Sequence, residues 1–268
     1  MPGKRPSPPF SRRPKPSTPR TDKPPVSPHV TTLWDYPSQN YGTGRQGDEK
    51  YPGVTPSHVV WNLVHRYAPN DALVVDPFCG SGTTLDVCRD LGRQARGFDL
   101  APTQPEIERA DARKLPVAAA SVDLVFMDPP YGTHIDYSDD PRCIGKLPAH
   151  DERYYHAMSD AFGEAARILK PGGVLGVYVA DSYVHKGEGK GFWPIGYELF
   201  SLLLGGGFEP MDWVAVVRHN KTLEMGNYRK AADEGGFFLR GFNHLLIVRS
   251  PMPQPKPARR KKRPAGGR

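Results

Sequence analysis

From Ala72 onward the chain alternates short apolar runs with stretches of helical periodicity, and this alternation narrows the fold more than any other feature. Ala72–Asp76, Gln94–Asp99, Val122–Asp128 and Val174–Ala180 read as strands. The runs VDLVFM and VLGVYVA show no polar alternation, which is the pattern of strands buried on both faces. Between them Thr83–Leu91, Tyr154–Leu169 and Gly196–Leu204 read as helices, the second closed by Lys170-Pro171-Gly172-Gly173. Trp213–His219 and Phe238–Arg249 are expected to pair as a terminal hairpin. Strands alternating with helices imply an α/β fold, a mostly parallel sheet covered on both faces, with the ligand site at the carboxyl ends of the strands. Upstream, a helix is expected from Ser57, as N-cap, with Val59, Val60, Leu63, Val64 and Tyr67 on one face and Pro69 as the stop. Segment 31–53 reads as an ordered loop or cap whose Trp34, Tyr36 and Tyr41 pack.

Charge separates this core from its ends. Residues 1–30 hold ten prolines and seven cations against Asp22 alone, and residues 251–268 hold seven cations and no acid. The chain carries +7 in all, so segment 31–250 is acidic. Neither end can bury enough apolar surface to offset the entropy of ordering. Both are read as disordered tails around one domain at 31–250, and as flexible polycations suited to a phosphate polymer. Cys79, Cys88 and Cys143 form no CxxC pair and no histidine stands at zinc spacing, so neither a disulfide framework nor a metal site is expected. With no signal-peptide run and no stretch of roughly 20 apolar residues, a soluble, cytoplasmic protein without a membrane partner is expected.

The first strand runs into Asp76-Pro77-Phe78-Cys79-Gly80-Ser81-Gly82-Thr83-Thr84. The glycines permit a tight turn and a close backbone approach, and helix N–H groups follow at once. No lysine follows as in a phosphate loop, and Leu85 stands where a dinucleotide fingerprint has its third glycine. What remains is a turn with an acid at its entry, suited to a ligand carrying an ammonium and a carboxylate. Asp99, at the end of the next strand, is placed to accept from two ribose hydroxyls. Asp111 stands where a third strand would end and could receive an adenine amino hydrogen.

Asp128-Pro129-Pro130-Tyr131 follows the VDLVFM strand directly. An exocyclic base amine is planar, its lone pair delocalised into the ring. Two acceptors around the nitrogen favour a more tetrahedral geometry and relieve the product of a proton. The Asp128 carboxylate supplies one and the Pro129 carbonyl, in a proline-rigid turn, the other. Tyr131 would stack on a base turned out of its helix.

These two motifs, in this order, resemble those of the amino-methylating DNA methylases, the N4-cytosine/N6-adenine type. In that family a DPFxGSGTT-like element binds the cofactor and a DPPY-like element is catalytic, and Asp76–Thr84 and Asp128–Tyr131 match them. The stretch 51–62 resembles the family's segment over the methionine end of the cofactor, with Thr55, Pro56 and Ser57 as contacts. The resemblance spans roughly residues 51–180. It implies a Rossmann-like class I methyltransferase fold, a seven-stranded sheet ending in an antiparallel hairpin. It also implies S-adenosylmethionine as cofactor and an adenine N6 or cytosine N4 of DNA as the acceptor, rather than an RNA base amine (guanine N2, adenine N6 or cytosine N4). The cofactor element precedes the catalytic one, whereas many members run the other way, and no long insertion offers a separate recognition domain. Substrate contacts are expected from the loop 132–147, with His134, Asp136 and Tyr137, and from Arg218, Lys221, Arg229, Lys230 and Arg240. Cytosine C5 chemistry needs a nucleophilic cysteine, and no Pro-Cys dipeptide occurs.

Overall fold

The computed structural model describes residues 27–252 apart from 37, 43, 49, 132, 134, 185–186 and 220–224. The basic tails, His134 and Lys221 therefore lie wholly or almost wholly outside the described residues. In chain order the elements are β1 (Leu33–Trp34), α1 (Ser57–Tyr67), β2 (Leu73–Asp76), α2 (Thr83–Asp90), β3 (Gln94–Asp99), β4 (Ile107–Arg109), β5 (Val122–Met127), α3 (Glu152–Ile168), β6 (Leu169–Val179), β7 (Ser182–Val184), β8 (Gly191–Trp193), α4 (Ile195–Gly205), β9 (Glu209–Val217), α5 (Gly226–Gly235) and β10 (Phe242–Arg249). Among the described residues the strands make one eight-stranded sheet, ordered β1-β9-β10-β6-β5-β2-β3-β4, and a separate β7–β8 ribbon.

Strands β4, β3, β2, β5 and β6 are mutually parallel, while β10 runs antiparallel to both β6 and β9. The expected seven-stranded, hairpin-ended sheet is thus present. The two-residue β1 extends it along β9, pairing Leu33 with Ala215 and Trp34 with Val216. A two-residue strand has no periodicity to read, so this stretch looked like loop.

The uninterrupted apolar runs are explained by cover on both faces. In β5, Leu124 and Phe126 pack with α1 on one face, while Val125 and Met127 pack with α3 and α4 on the other. Successive strand side chains point to opposite faces, so a strand covered twice has no polar side. Trp34, Tyr36 and Tyr41 are buried in the α1-side core, as packing residues. His29, from the stretch read as tail, is tied to α1: its N–H donates to Asn62 Oδ1 at 2.9 Å.

Three local readings need correction. Ser57 is the first helical residue and not the cap; Pro56 holds the N-cap position, and the Ser57 hydroxyl donates to the Gln39 carbonyl at 3.1 Å. Lys170–Gly173 belongs to β6 rather than to a helix stop. Its backbone is claimed by the last strand, with Gly172 N–H donating to Ser250 O at 3.0 Å and Ser250 N–H to Gly173 O at 2.8 Å. Helix α5 lies between the two hairpin strands, and Ala232 is its one buried residue, so it carries no apolar stripe for a sequence to display.

The sheet order reverses between β2 and β5, the point where an open α/β sheet leaves a crevice at its carboxyl edge. Asp76 ends β2, Asp99 ends β3 and Asp128 follows β5, so three acids from distant parts of the chain meet at this crevice. Gly97 in β3 permits that approach. A Cβ there would stand 2.3 Å from Cys79 Sγ and 3.1 Å from its Cβ, inside the glycine turn. Gly97→Val is expected to destabilise the fold by about 1–3 kcal/mol through overpacking. Denaturant unfolding checks this, and an unchanged midpoint would mean that the turn has room to move.

Candidate active site

The turn between β2 and α2 is built around two acids. Asp76, 3% exposed, accepts from Phe78 N–H at 3.0 Å through one oxygen and from Thr84 Oγ1 at 2.5 Å through the other. It thereby ties the entry of the turn to the first turn of the helix. Asp99 accepts from Gly80 N–H at 3.0 Å and from Ala101 N–H at 2.9 Å, joining the turn to the end of β3. Gly80 and Gly82 have φ of +44° and +82°, in the left-handed region that side chains rarely adopt, and Gly82 is the N-cap of α2. From outside, Thr103 Oγ1 donates to Gly80 O and Gln104 Nε2 to Ser81 O, both at 2.7 Å. Tyr51 lies over the turn so closely that a Cβ on Gly80 would meet its ring at 2.9 Å.

This turn floors a cavity that Asp76, Asp99, Asp111 and Asp128 line. Of the cofactor residues expected from the glycine turn and the strand ends, all but Gly82 line it, and so do Asp128, Pro130 and Tyr131. Pro129 is buried beside it, and its carbonyl accepts no hydrogen bond from the described residues. Of the three contacts expected from the stretch 51–62, Thr55 lines this cavity, Pro56 lines a neighbouring one, and Ser57 is buried in the core. Tyr51, Gly53, Ser138, Cys143 and Ile144 also line the cavity; they fall within the expected stretches 51–62 and 132–147, but nothing local singles out a residue that reaches a site through packing.

The lining holds four carboxylates, Asp76, Asp99, Asp111 and Asp128, and among the described residues no lysine, arginine or histidine. A phosphate would be repelled here, whereas a net cation is favoured. S-adenosylmethionine carries a sulfonium, an ammonium and one carboxylate, so the donor set fits the cofactor that the motifs imply. Thr83 and the backbone of the glycine turn stand where an amino-acid end could lie, and Asp99 where a ribose could. Asp111 is less free than its position suggested. Arg113 donates to both its oxygens, at 2.9 and 2.7 Å. Burial opposes its charge, but these bonds and the Arg113 charge outweigh it and hold the carboxyl below its usual range.

Asp128 is half-buried at the cavity wall and accepts from Thr55 Oγ1 at 2.5 Å. Desolvation pushes its pKa up to about 7, the Thr55 bond opposing and the Asp76 charge adding to the rise. Burial likewise takes Asp76 to about 7, against the bonds from Thr84 and Phe78. Burial first, then the nearby acids, raises the Cys79 thiol well above its ordinary value, which makes it a packing group and no nucleophile.

A second cavity also borders Asp128. Gly53, Asp128 and Tyr131 line both cavities. The second is walled by Tyr178, Arg218, His219 and Asn243, and His219 Nε2 lies 2.5 Å from Asp35 Oδ1. Arg218 makes no ion pair among the described residues. Of the other expected substrate contacts, Tyr137 faces the first cavity, Asp136 is exposed with Lys146 at 3.8 Å, and Arg229, Lys230 and Arg240 lie outside both cavities.

A family model described as DNA methylase matches residues 8–107, which take in the glycine turn and end before Asp128. Over that stretch, rather more than a third of the chain, the sequence is similar to DNA methylases. The resemblance drawn from the two motifs is borne out by this match and by a relative, the type II methyltransferase M.ScaI of Streptomyces caespitosus. It is 32% identical over 78 residues, which are 28% of this chain and 26% of the relative. The chain thus spans about a quarter of that relative's length. Among solved structures, the [4+2]-cyclase SpnF is similar at 17% identity and a TM-score of 0.49, covering 74% of this chain and 83% of its own. A SAM-dependent methyltransferase from Methanosarcina mazei is similar at 16% and 0.47, covering 71% and 98%. The sheet order described above stands without these two likenesses. Among the described residues no helix is long and apolar enough to cross a membrane.

Proposed function

We propose that this chain transfers the methyl group of S-adenosylmethionine to an exocyclic amino nitrogen of a DNA base, adenine N6 or cytosine N4. The observation that carries the reading is the place of Asp128, which lines both the acidic cavity over the glycine turn and the second cavity beside Tyr131. A carboxylate between two compartments can serve a reaction whose two partners enter from opposite sides. The DNA methylase match supports the choice of polymer.

When bound, the cofactor supplies an electrophilic methyl on a sulfonium, with a neutral thioether as leaving group. The chain's own residues prepare the amine. Asp128 accepts one N–H of the amine and the Pro129 carbonyl the other, which turns the nitrogen lone pair toward the first cavity. Asp128 then takes the proton that the methylated amine gives up. Thr55 holds the carboxylate in place through its 2.5 Å bond. Tyr131 offers a ring to the base and Arg218 a guanidinium to a flanking phosphate. The basic tails would add affinity without sequence preference.

Cofactor binding should be linked to protons. Asp76 and Asp128, with pKa values raised to about 7, are partly protonated in the free protein. A bound cation favours their charged forms and expels those protons. Affinity for S-adenosylmethionine is expected to rise by roughly tenfold or more from pH 5.5 to 7, the limit being about 16-fold for each carboxyl that ionises fully on binding. Calorimetry in two buffers of different ionisation enthalpy should register proton release; a pH-independent affinity without release would contradict the assigned electrostatics.

The decisive test is transfer from labelled S-adenosylmethionine to unmethylated DNA and to bulk RNA, with the products digested to nucleosides and identified by mass. Label in N6-methyladenine or N4-methylcytosine from DNA is the expected result. Label in RNA nucleosides alone would overturn the DNA substrate and recast the tails as RNA tethers.

A further inference from the structure

The second cavity contains a buried polar atom with nothing to bind. Asn243, at the start of β10, is 5% exposed and lines this cavity, and its Oδ1 has no hydrogen-bond partner among the described residues. A buried amide oxygen left unpaired costs about 1–3 kcal/mol, so such a group is retained where something else pairs with it.

Its position is set by the sheet. Tyr178 and Leu245 are direct partners across β6 and β10, and Asn243 stands two residues from Leu245, hence on the same face. Asp128 stands two residues beyond Phe126, which packs on that face as well. Asp128, Tyr178 and Asn243 therefore follow one another across β5, β6 and β10 along one wall. With strands spaced ~4.8 Å apart and Asn243 about 7 Å further along β10 than Leu245, the backbones of Asn243 and Asp128 stand about 12 Å apart, a gap that their side chains and a base can fill. The Asn243 amide stands beside the Tyr178 hydroxyl.

Resting on the function proposed above, we infer that Asn243 is a specificity-determining residue that reads the ring nitrogen beside the amine being methylated, N1 of adenine or N3 of cytosine. That nitrogen is an acceptor in both bases and requires a donor. A half turn about Cβ–Cγ exchanges the amide's oxygen and nitrogen in the same space. In that orientation the Tyr178 hydroxyl donates to Oδ1, and Nδ2–H is released toward the base. Both buried groups are then satisfied only when the base is present. Guanine carries a hydrogen on the ring nitrogen next to its amine and would meet this donor with another donor.

The test is a cycle between protein and substrate. Once the methylated position is mapped, duplexes are prepared with the ring nitrogen replaced by C–H, as 1-deazaadenine or 3-deazacytosine. The wild-type protein is expected to lose roughly 10- to 100-fold in kcat/KM on the deaza duplex. Asn243→Ala and Asn243→Leu, neither of which can donate, are expected to lose a similar factor on the natural duplex and less than about threefold more on the analogue. Their affinity for S-adenosylmethionine should match wild type, because Asn243 does not line the cofactor cavity, and this confirms folding. Any electronic effect of the deaza ring on the amine acts equally on all three proteins and drops out of the cycle. Losses that multiply independently, or a wild-type protein indifferent to the deaza base, would overturn the assignment of Asn243 while leaving the methyltransferase reading intact. A wild-type protein that methylates neither adenine nor cytosine, or that methylates guanine, would overturn that reading and this inference together.

Discussion

Asp128→Asn is expected to lower methyl transfer by about a thousandfold or more while leaving affinity for S-adenosylmethionine within about fivefold. The substitution preserves shape and removes one acceptor. Thr55 Oγ1 donates to Asp128 at 2.5 Å, so an asparagine would turn its only oxygen toward Thr55 and its NH₂ toward the substrate. An amine donor would then face an amide donor, and the proton released after transfer would have no base. Single-turnover kinetics together with calorimetry separate the two effects. Near-normal turnover would remove Asp128 from the reaction. The same carboxylate sets a pH dependence. With its pKa raised by burial to about 7 in the free protein, it is protonated, and lost as an acceptor, below that pH. Wild-type kcat/KM should therefore fall as pH drops below about 7. A sulfonium beside it favours the ionised form, so kcat at saturating cofactor should hold to lower pH.

Asp99→Ala is expected to weaken S-adenosylmethionine binding by roughly 30- to 100-fold, with a much smaller effect on the rate at saturating cofactor. Asp99 does two things at once. Its oxygens accept from Gly80 N–H and Ala101 N–H, which fixes the glycine turn against β3, and the same carboxylate faces the cavity. Each oxygen has a second lone pair available for a ribose hydroxyl. The alanine variant loses those acceptors and leaves two backbone donors without their partner. Asp111 makes a useful contrast, because Arg113 already engages both its oxygens and its loss should matter less to the ligand. An unchanged dissociation constant for Asp99→Ala would move the ribose contact elsewhere.

How far such residues can be recognised in advance depends on the length of chain that encodes them. Asp76, Asp99 and Asp128 each end or follow an apolar run, and strand followed by turn is written into a few consecutive residues. The glycine turn was visible for the same reason, since positive φ at Gly80 and Gly82 is a local demand. The continuous apolar character of β5 and β6 announced a sheet covered on both faces. Helix α5, with one buried residue, and the two-residue β1 had no pattern to show. Nor did Lys170–Gly173, whose sequence suits a helix stop but whose backbone bonds are taken by Ser250, about eighty residues downstream.

The sequence by itself determined the alternation of strands and helices, the two strand-ended motifs and the acids they carry. These follow from periodicity and turn chemistry, which act between near neighbours. Only the tertiary structure decided that Thr55 would hold Asp128 across 73 residues, that Tyr51 would cover Gly80, and that Asn243 would share a wall with Asp128. Those contacts come from the order in which strands assemble and from the packing of loops over the sheet edge. That order is fixed by the fit of the whole core, and no short stretch of chain contains it.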